Sequence, residues 1–267
     1  MSIFNINSNT GAMNAYNALA KVNKETFKAQ LRLATQKRIN TVADDTSGYN
    51  VGKSLEGKVS QMKAAQGNIS AAKDFLSTAE AALQNVGDLL NQIKAKIADA
   101  TDPTKSESSL ASDIEALGSE ISNIMSRTEF NGTTLLSGTK FSAGFKFQTG
   151  VNTGEDITLA YTTSLGTLDL SGVTSVTSPS TVDVSSLVTS VTNALGSIGN
   201  DIQRLDIQDS YTTAALSNAN SSISRLFDAD MALEQMNATK GSIAQNIGIS
   251  MLAQLNTAPQ AVLSLFR

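Results

Sequence analysis

The residues best suited to chemistry are two adjacent aspartates, Asp44 and Asp45, in the stretch RINTVADDTSGYN at residues 38–50. This pair could belong to an acid protease, a phosphoryl-transfer enzyme or a cation site. An acid protease needs a second, similar aspartate from elsewhere in a β-rich fold, and phosphoryl transfer needs a phosphate-binding loop or several metal ligands. The sequence offers neither. We therefore interpret the pair as a structural joint that ends one helix and starts the next, with Gly48 permitting the backbone to turn.

A second pair of acids, Asp228 and Asp230 in SRLFDADMALEQ, poses the same question. One interpretation is a cation site. The other is an ion-pair pattern on a helix surface, with Arg225 and Glu234 as the partners. We favour the ion-pair pattern.

The composition argues against catalysis. The 267 residues include no histidine, cysteine or tryptophan. The chain therefore lacks the commonest general base, every thiol nucleophile, every Cys/His zinc site and every disulfide. We expect no enzyme activity, no catalytic residue, no cofactor and no metal.

The amino-terminal region is basic although the whole chain carries a net charge of −4. Such a region could bind nucleic acid, lie on a membrane surface or act as an organelle presequence. The basic residues alternate with apolar ones and no aromatic platform for bases accompanies them, so we expect a solvated helix face, with no nucleic-acid partner and no membrane insertion. The cations are Lys21, Lys24, Lys28, Arg32, Lys37 and Arg38.

A heptad repeat between residues 62 and 100 is the clearest structural signal. Six consecutive heptads carry only apolar residues at both core positions, which predicts one long helix in coiled-coil contact with a partner. The larger residues of this seam are Met62, Ile69, Leu76, Leu83, Leu90, Ile97, Val86 and Ile93, and alanines fill the four remaining positions.

A second periodic segment, from residue 188 to residue 233, is interrupted at Asp209 and Thr212. Two long helical arms at opposite ends of a chain most simply pack on each other. A third helix is expected from Ser108 to about Arg127, and Pro103 separates it from the heptad helix. The consequence is a helical hairpin.

The two ends of the chain have apolar surfaces that are too broad for a single neighbour. The helix at residues 10–38 carries two stripes, one through Leu19 and Val22 and the other through Tyr16 and Phe27. The last segment, which includes Leu263, Leu265 and Phe266, has the same property. Helices of this kind need several neighbours, so both ends are expected to serve an assembly.

The middle of the chain changes character. Residues 139–186 contain short β-prone runs broken by NTGED and SLG, followed by a stretch rich in Ser and Thr. The first part predicts a hairpin or small sheet. The second is either a surface loop or a target for O-linked sugars. The expected fold class is mainly α, a long antiparallel coiled-coil bundle of the two arms with a small β region in the middle.

Four motifs, in order along the chain, resemble those of bacterial flagellins. They are RINTVADDTSG at 38–48, TEFNGTTLLSG at 128–138, SRLFDADMALE at 224–234 and MLAQLNTAPQAVLSLF at 251–266. The resemblance covers essentially residues 1–160 and 187–267.

The resemblance implies a structural subunit that self-assembles into the helical flagellar filament used for motility. It implies an inner, tube-lining domain from residues 1–40 and 230–267, and a joint at 41–58. A helical outer layer at 59–138 and 187–229 and a surface region at 139–186 complete the arrangement. Arg38, Asp44, Asp45 and Gly48 would lie in the joint between the layers, and Arg225, Asp228, Asp230 and Glu234 would also serve assembly.

The implied partners are further copies of the chain, the flagellar export apparatus, an export chaperone, the filament cap and the hook-junction proteins. The amino terminus lacks an apolar signal-peptide core, so we expect export to the extracellular flagellum without a cleaved signal peptide. A hook–filament junction protein and a generic coiled-coil tether are the alternatives.

Two departures from the family pattern have consequences. Flagellins commonly have Leu-Ser-Ser-Gly where this chain has residues 33–37, LATQK, which leaves the glycine-assisted bend in question. Flagellins that vertebrate innate immune receptors detect carry a stretch resembling LQRIREL. Here residues 90–96 read LNQIKAK, with Gln92 in place of an arginine, so weak or no recognition is expected.

Overall fold

The computed structural model describes residues 10–137, 144–152, 154–159 and 170–265, without the side chains of 258–265. The chain divides into two compact units. The first comprises Met1–Gly57 and Asn218–Arg267, and the second comprises Lys58–Ser217.

Helices dominate the described residues, which confirms the mainly α class. The helices are α1 (Thr10–Thr35), α2 (Thr46–Asp99), α3 (Glu107–Arg127), the short α4 (Ser171–Thr174), α5 (Ser185–Phe227) and α6 (Met231–Leu265). Four strands form two antiparallel hairpins, β1 (Glu129–Phe130) with β2 (Thr133–Thr134) and β3 (Phe145–Gln148) with β4 (Asp156–Leu159).

In the first unit, α1 and α6 pack antiparallel. Arg32 of α1 contacts Glu234 near the start of α6, and Leu19 of α1 lies against Gly248 further along it. The α1 residues Leu19 and Val22 are partly covered, whereas Tyr16 and Phe27 are exposed. One antiparallel partner therefore covers only part of the apolar surface of α1.

In the second unit, the heptad seam of α2 forms the core, together with residues of α3 and α5. Six of the eight predicted seam residues are fully buried: Ile69, Leu76, Leu83, Leu90, Val86 and Ile93. Met62 and Ile97, towards the ends of the seam, are half-buried. Lys73 of α2 forms ion pairs with Asp206 (2.8 Å) and Asp209 (3.2 Å) of α5. Further along α2, Gly87 lies near Val191 of α5, so the two helices run antiparallel.

Two hairpins close one part of this core. The β1–β2 turn is formed by Asn131 (φ 50°) and Gly132 (φ 72°), because a tight turn between twisted strands favours Asn-Gly with positive φ. Phe75 of α2 makes edge-on contacts with Phe130, Phe145 and Phe147, at centroid separations of 6.0, 4.5 and 5.5 Å. The expected hairpin in the middle of the chain is present as β3–β4. Residues 139–143 and 160–169 of the predicted β region lie outside the described residues.

The Ser/Thr-rich stretch, within the described residues from 170 onwards, is a surface segment whose apolar residues anchor it to the core. Val173, Val176, Pro179 and Val184 are buried, while Ser and Thr side chains between them are exposed. The Val176 amide donates to a Glu115 carboxylate oxygen on α3 (2.8 Å).

The turn between α2 and α3 is wholly exposed from Thr101 to Ser109. Asp102 Oδ1 accepts hydrogen bonds from the amide (2.9 Å) and the hydroxyl (2.7 Å) of Thr104, which lower the pKa of the Asp102 carboxyl. This turn joins the two helices into the expected hairpin.

None of the described helices combines the length and the apolar character that a membrane-spanning helix needs.

Candidate assembly joint and terminal helix pair

A short backbone bridge joins the residues that follow α1 to those that precede α6. Lys37 lies opposite Asp228 in an isolated antiparallel bridge. The Arg38 amide donates to the Phe227 carbonyl (2.6 Å), and the Ala229 amide donates to the Gln36 carbonyl (3.0 Å). The predicted joint residue Arg38 adds a side-chain bond from Nη2 to the Leu226 carbonyl (3.1 Å). The two chain segments are thus tied together at this point.

The bend that leads into the bridge forms without a glycine. α1 ends at Thr35, and Gln36 adopts a left-handed conformation with φ 59°. The bend that the missing glycine called into question is therefore present. A non-glycine residue in this conformation costs roughly 1–2 kcal/mol, which the bridge and its neighbours must offset.

Phe227 is the buried anchor of the joint. Its ring makes an edge-on contact with Tyr49 (6.2 Å between centroids), and Lys37 Nζ lies 5.5 Å from the ring centroid. On the remaining side the ring lies against Gly52 of α2 so closely that a Cβ on that residue would overlap ring atoms. Sequence reasoning missed both Phe227 and Gly52. A lone Phe next to an acidic pair and a glycine within a helical pattern were the available signals.

Asp44 organises the loop between α1 and α2. Its Oδ2 accepts hydrogen bonds from the Thr41 amide (3.0 Å), the Thr41 hydroxyl (3.0 Å) and the Asn40 amide (3.2 Å). Lys28 Nζ lies 3.4 Å from the other carboxylate oxygen. The Thr41 amide is the largest cause of a lowered pKa of the Asp44 carboxyl. The carboxylate thus acts as a backbone acceptor in a loop.

Asp45 starts α2. Its Oδ1 accepts a hydrogen bond from the Gly48 amide (2.9 Å), three residues on, which is the bond expected of a helix N-cap. The expectation that Gly48 turns the backbone is wrong, because Gly48 lies inside the first turn of α2. Glycine is needed at position 48 for a different reason, because the Asp45 and Ile39 side chains pack closely against it. A Cβ on Gly48 would overlap the Asp45 carboxylate and would lie 3.0 Å from Ile39 Cδ1.

The second acidic pair does not form the predicted ion pairs. Asp230 caps α6, since its Oδ1 accepts from the amides of Ala232 (3.0 Å) and Leu233 (3.1 Å). Asp228 accepts a hydrogen bond from the Ser224 hydroxyl. Arg225 donates to the Ser222 hydroxyl (3.2 Å). The expected pattern fails because a helix break at residues 228–230 takes both acids off one continuous helix face.

Glu234 is nearly buried and pairs with Arg32 across the two terminal helices, at 3.0 Å. The pair lines a groove of about 360 Å³ between α1 and α6. Along the same face of α6, at seven-residue intervals, Gly241 lies against Thr26 and Gly248 against Leu19. A Cβ at Gly241 would overlap Thr26 Oγ1, whereas a Cβ at Gly248 would approach only the flexible end of Leu19. The need for glycine is therefore stricter at Gly241. Sequence analysis did not single out this face.

The outer faces of both terminal helices carry large exposed apolar side chains. We define the α1 stripe as Met13, Tyr16, Phe27 and Leu31, and the α6 stripe as Met236, Ile243, Ile247 and Met251. Each stripe is a surface suited to binding further apolar helices. Leu263 and Leu265 lie in the part of α6 whose side chains are not described, and Phe266 lies outside the described residues.

No group of three or more His, Cys, Asp or Glu residues among the described residues is placed to hold a metal ion. A cavity of about 550 Å³ in the second unit is bordered by Lys58, Glu155 and Tyr211 among other residues. Glu155 is engaged there by the Asn152 amide and side chain, which lower the pKa of its carboxyl.

Comparison with protein families agrees with this geometry. The model of the bacterial flagellin N-terminal helical region matches residues 6–141, and that of the C-terminal helical region matches residues 182–266. The chain belongs to the bacterial flagellin family. The two matched regions contain all of α1–α3, α5 and α6, and hence all the helices that form the joint and the terminal pair.

Curated flagellins are similar over their whole length. Flagellin FljM of Caulobacter vibrioides is 27% identical, with all of both chains covered. The flagellin of Bacillus subtilis is 27% identical over 98% of this chain and 99% of its own. The flagellar filament 33 kDa core protein of Treponema phagedenis is 28% identical with the same coverage. The length of this chain is therefore that of a short flagellin.

Proposed function

We propose that this chain is a structural subunit that self-assembles into the helical flagellar filament used for motility. Membership of the flagellin family supports this assignment, and the exposed α1 and α6 stripes carry it. They are large apolar surfaces that the subunit alone leaves in water.

Burial of these stripes provides the driving force. Each large apolar side chain gains about 1.5–3 kcal/mol when it leaves water completely. The cost is the conformational entropy of ordering the terminal segments, roughly 1–2 kcal/mol per residue for the backbone alone. In flagellins, by the resemblance, the ends are largely unfolded in the monomer and become ordered on assembly. Contacts with several neighbours are then needed to offset that cost.

The contacts between copies are heterologous and do not close into a ring, so a helical tube results. In this arrangement residues 1–40 and 230–267 form the inner, tube-lining domain and 41–58 the joint. Residues 59–138 and 187–229 form the outer helical layer, and 139–186 the outward surface. The joint residues Arg38, Asp44, Asp45 and Gly48 set the path of the chain between the layers, and Leu263, Leu265 and Phe266 pack in the inner domain.

The carboxylates near the joint serve the backbone and the helix pair. Asp45 and Asp230 each cap a helix, and Glu234 fixes the position of α1 on α6. We therefore propose a role without catalysis or a cofactor. The subunit functions outside the cell, reached through the flagellar export apparatus with an export chaperone, and it meets the filament cap and the hook-junction proteins at the ends of the filament.

Negative-stain electron microscopy of the purified chain, before and after addition of a precipitating salt or short filament seeds, tests the proposal. Long tubes of uniform width are expected. Persistent monomers, or seeds that are capped and do not grow, would contradict it and favour the junction protein or the tether.

Two variants connect the result to the terminal helices. Removal of about 20 residues from either end should leave a soluble, partly folded monomer that forms no filaments, since the buried contacts can no longer offset the ordering entropy. Ile247→Lys, in the α6 stripe, should also prevent growth because a buried, unpaired charge is costly. Asn91→Lys adds the same charge at an exposed position of α2 and is the matched control. Normal filaments from the truncated chain would show that the terminal segments are not needed for assembly.

A further inference from the structure

Methionine is the only sulfur-containing residue of this chain, which has seven methionines and no cysteine. Six of the seven lie in the described residues. In the second unit, Met62 and Met125 are half-buried, and Met125 packs against the core.

The four methionines of the first unit that lie within the described residues are much more accessible. The exposed fraction is 64% for Met13, 60% for Met236, 53% for Met251 and 41% for Met231. Accessible sulfur reacts with peroxide, whereas packed sulfur is protected. Reactivity is therefore concentrated in one of the two units.

The positions of these residues matter as much as their exposure. Met13 belongs to the α1 stripe, and Met236 and Met251 belong to the α6 stripe. Met236 also borders a shallow groove beside Ile243. The most accessible thioethers thus lie among the apolar residues that the proposed assembly buries.

We propose that Met13, Met236 and Met251 are oxidation sites that make subunit addition sensitive to peroxide. Met231, the first residue of α6, is a fourth accessible sulfur that lies outside the stripes. In the reaction the thioether sulfur is oxidised to a sulfoxide by gaining one oxygen atom from hydrogen peroxide. The O–O bond breaks, and the second oxygen leaves as water. The inference rests on the proposed function, because it requires that assembly buries the stripes.

A sulfoxide changes what the stripes can bind. Its oxygen is a strong hydrogen-bond acceptor on a side chain that has no donor, and the thioether it replaces is apolar. An apolar interface offers that oxygen no partner, so its desolvation opposes assembly. We expect each buried sulfoxide to raise the subunit concentration needed for growth on the order of tenfold.

The test treats the full-length monomer with graded hydrogen peroxide, maps oxidation by peptide mass spectrometry and then measures seeded filament growth. The expected result is faster oxidation at Met13, Met231, Met236 and Met251 than at Met62 and Met125, with a parallel loss of growth. Methionine sulfoxide reductases should then restore growth of the same sample. Oxidation of preformed filaments should be slower at Met13, Met236 and Met251, the positions within the stripes.

Two variants separate the sites. A variant with all four methionines replaced by leucine keeps the apolar surface at similar volume. Its growth after peroxide treatment is compared only with its own growth before treatment, and the two should be equal. The matched control, Met62→Leu with Met125→Leu, should lose growth as the unmodified chain does. If the fourfold variant does not assemble before treatment, the reductase experiment on the oxidised unmodified chain is the test. Restored growth supports the proposal, and no restoration contradicts it.

The outcomes distinguish this inference from the function on which it rests. If the untreated chain does not grow into filaments, the proposed function is contradicted, and so is the oxidation proposal that rests on it. Normal growth of fully oxidised subunits, or equal sensitivity of the fourfold leucine variant, overturns the oxidation proposal alone.

Discussion

Lys37 lies directly opposite Asp228, although 190 residues of chain separate them, and the backbone around the two residues is hydrogen-bonded as a single antiparallel bridge. The bridge brings the end of α1 next to the start of α6. Because Phe227 is buried beside it, this short contact combines backbone pairing with aromatic packing. The joint is therefore a defined structure within the first unit.

The fit of Phe227 against Gly52 should be sensitive to a single methyl group. Gly52→Ala places a Cβ where atoms of the Phe227 ring lie, so the ring must move. We expect this to lower the stability of the joint by about 1–3 kcal/mol. Thermal dissociation of filaments and hydrogen exchange at the Arg38 amide measure the loss. Gly57→Ala is the matched control on the same helix. It meets no neighbouring atom and should be neutral or should stabilise the helix by up to about 1 kcal/mol. Equal effects of the two variants would contradict the packing argument.

The left-handed conformation of Gln36 predicts a stabilising substitution. Gln36→Gly removes the steric cost of the positive φ in the folded chain but makes the unfolded chain more flexible. We expect the net effect to be an increase in stability of about 0.5–1 kcal/mol. The dissociation temperature of filaments should rise. Gln36→Val, which is β-branched, should lower it. A glycine variant that dissociates at a lower temperature than the original would show that the side chain contributes more than the strain costs.

Asp44 should make the joint acid-sensitive. Hydrogen bonds from Thr41 hold the pKa of the folded-state carboxyl below its unfolded value, so the charged form stabilises the folded joint. This contribution is present above the unfolded pKa and is lost as pH falls through the lower, folded pKa. Asp44→Asn should destabilise the joint by on the order of 1 kcal/mol at neutral pH and weaken the response below about pH 4.

Acid dissociation of filaments, followed by light scattering, measures this response. Asp102→Asn is the control, since Asp102 also has a lowered pKa but lies in the α2–α3 turn of the second unit. An unchanged acid profile for Asp44→Asn would exclude a role for its charge.

The ion pair between Arg32 and Glu234 should contribute to the terminal helix pair. Glu234→Gln keeps the shape but leaves the Arg32 guanidinium without a carboxylate in a half-covered site, at a cost of about 1–2 kcal/mol. Glu56→Gln removes the more exposed pair with Lys53 and should change the dissociation temperature little. Equal dissociation temperatures for the two variants would contradict a stabilising role of the Arg32–Glu234 pair.

Innate-receptor recognition is expected to be weak, as inferred from the family resemblance. Ile93 is buried in the seam, whereas Gln92 and Lys94 on either side are exposed, so the side chains available to a receptor differ from the arginine-rich pattern. In a cell reporter assay the chain should give little response at ordinary flagellin doses, and Gln92→Arg should increase it. A full response from the unmodified chain would contradict the expectation.

Much of the helical architecture was predictable because it follows from periodicity. The heptads of α2 place Leu76, Leu83 and Leu90 in the core without any knowledge of the partner. The two apolar stripes of α1 were likewise predictable from the sequence. One is partly covered and the other exposed because α1 has one packed neighbour, α6. The β1–β2 hairpin was not identified as one, although Asn131-Gly132 is a strong signal for such a turn.

The joint was harder to predict because its contacts are between residues far apart in sequence. Phe227 and Gly52 meet only once the chain has folded, and neither has a distinctive local pattern. Gln36 takes a conformation that sequence reasoning reserves for glycine. Gly48 shows the opposite error, since a glycine beside two aspartates suggests a turn but is needed here for a close approach inside a helix.

The exposed turn between α2 and α3 offers a practical use. Pro103 is exposed there and lies outside the described helices and strands. Because the chain has no cysteine, Pro103→Cys would create a unique thiol for attaching a fluorescent dye. The rotation of individual living cells could then be followed under a microscope through the labelled subunits.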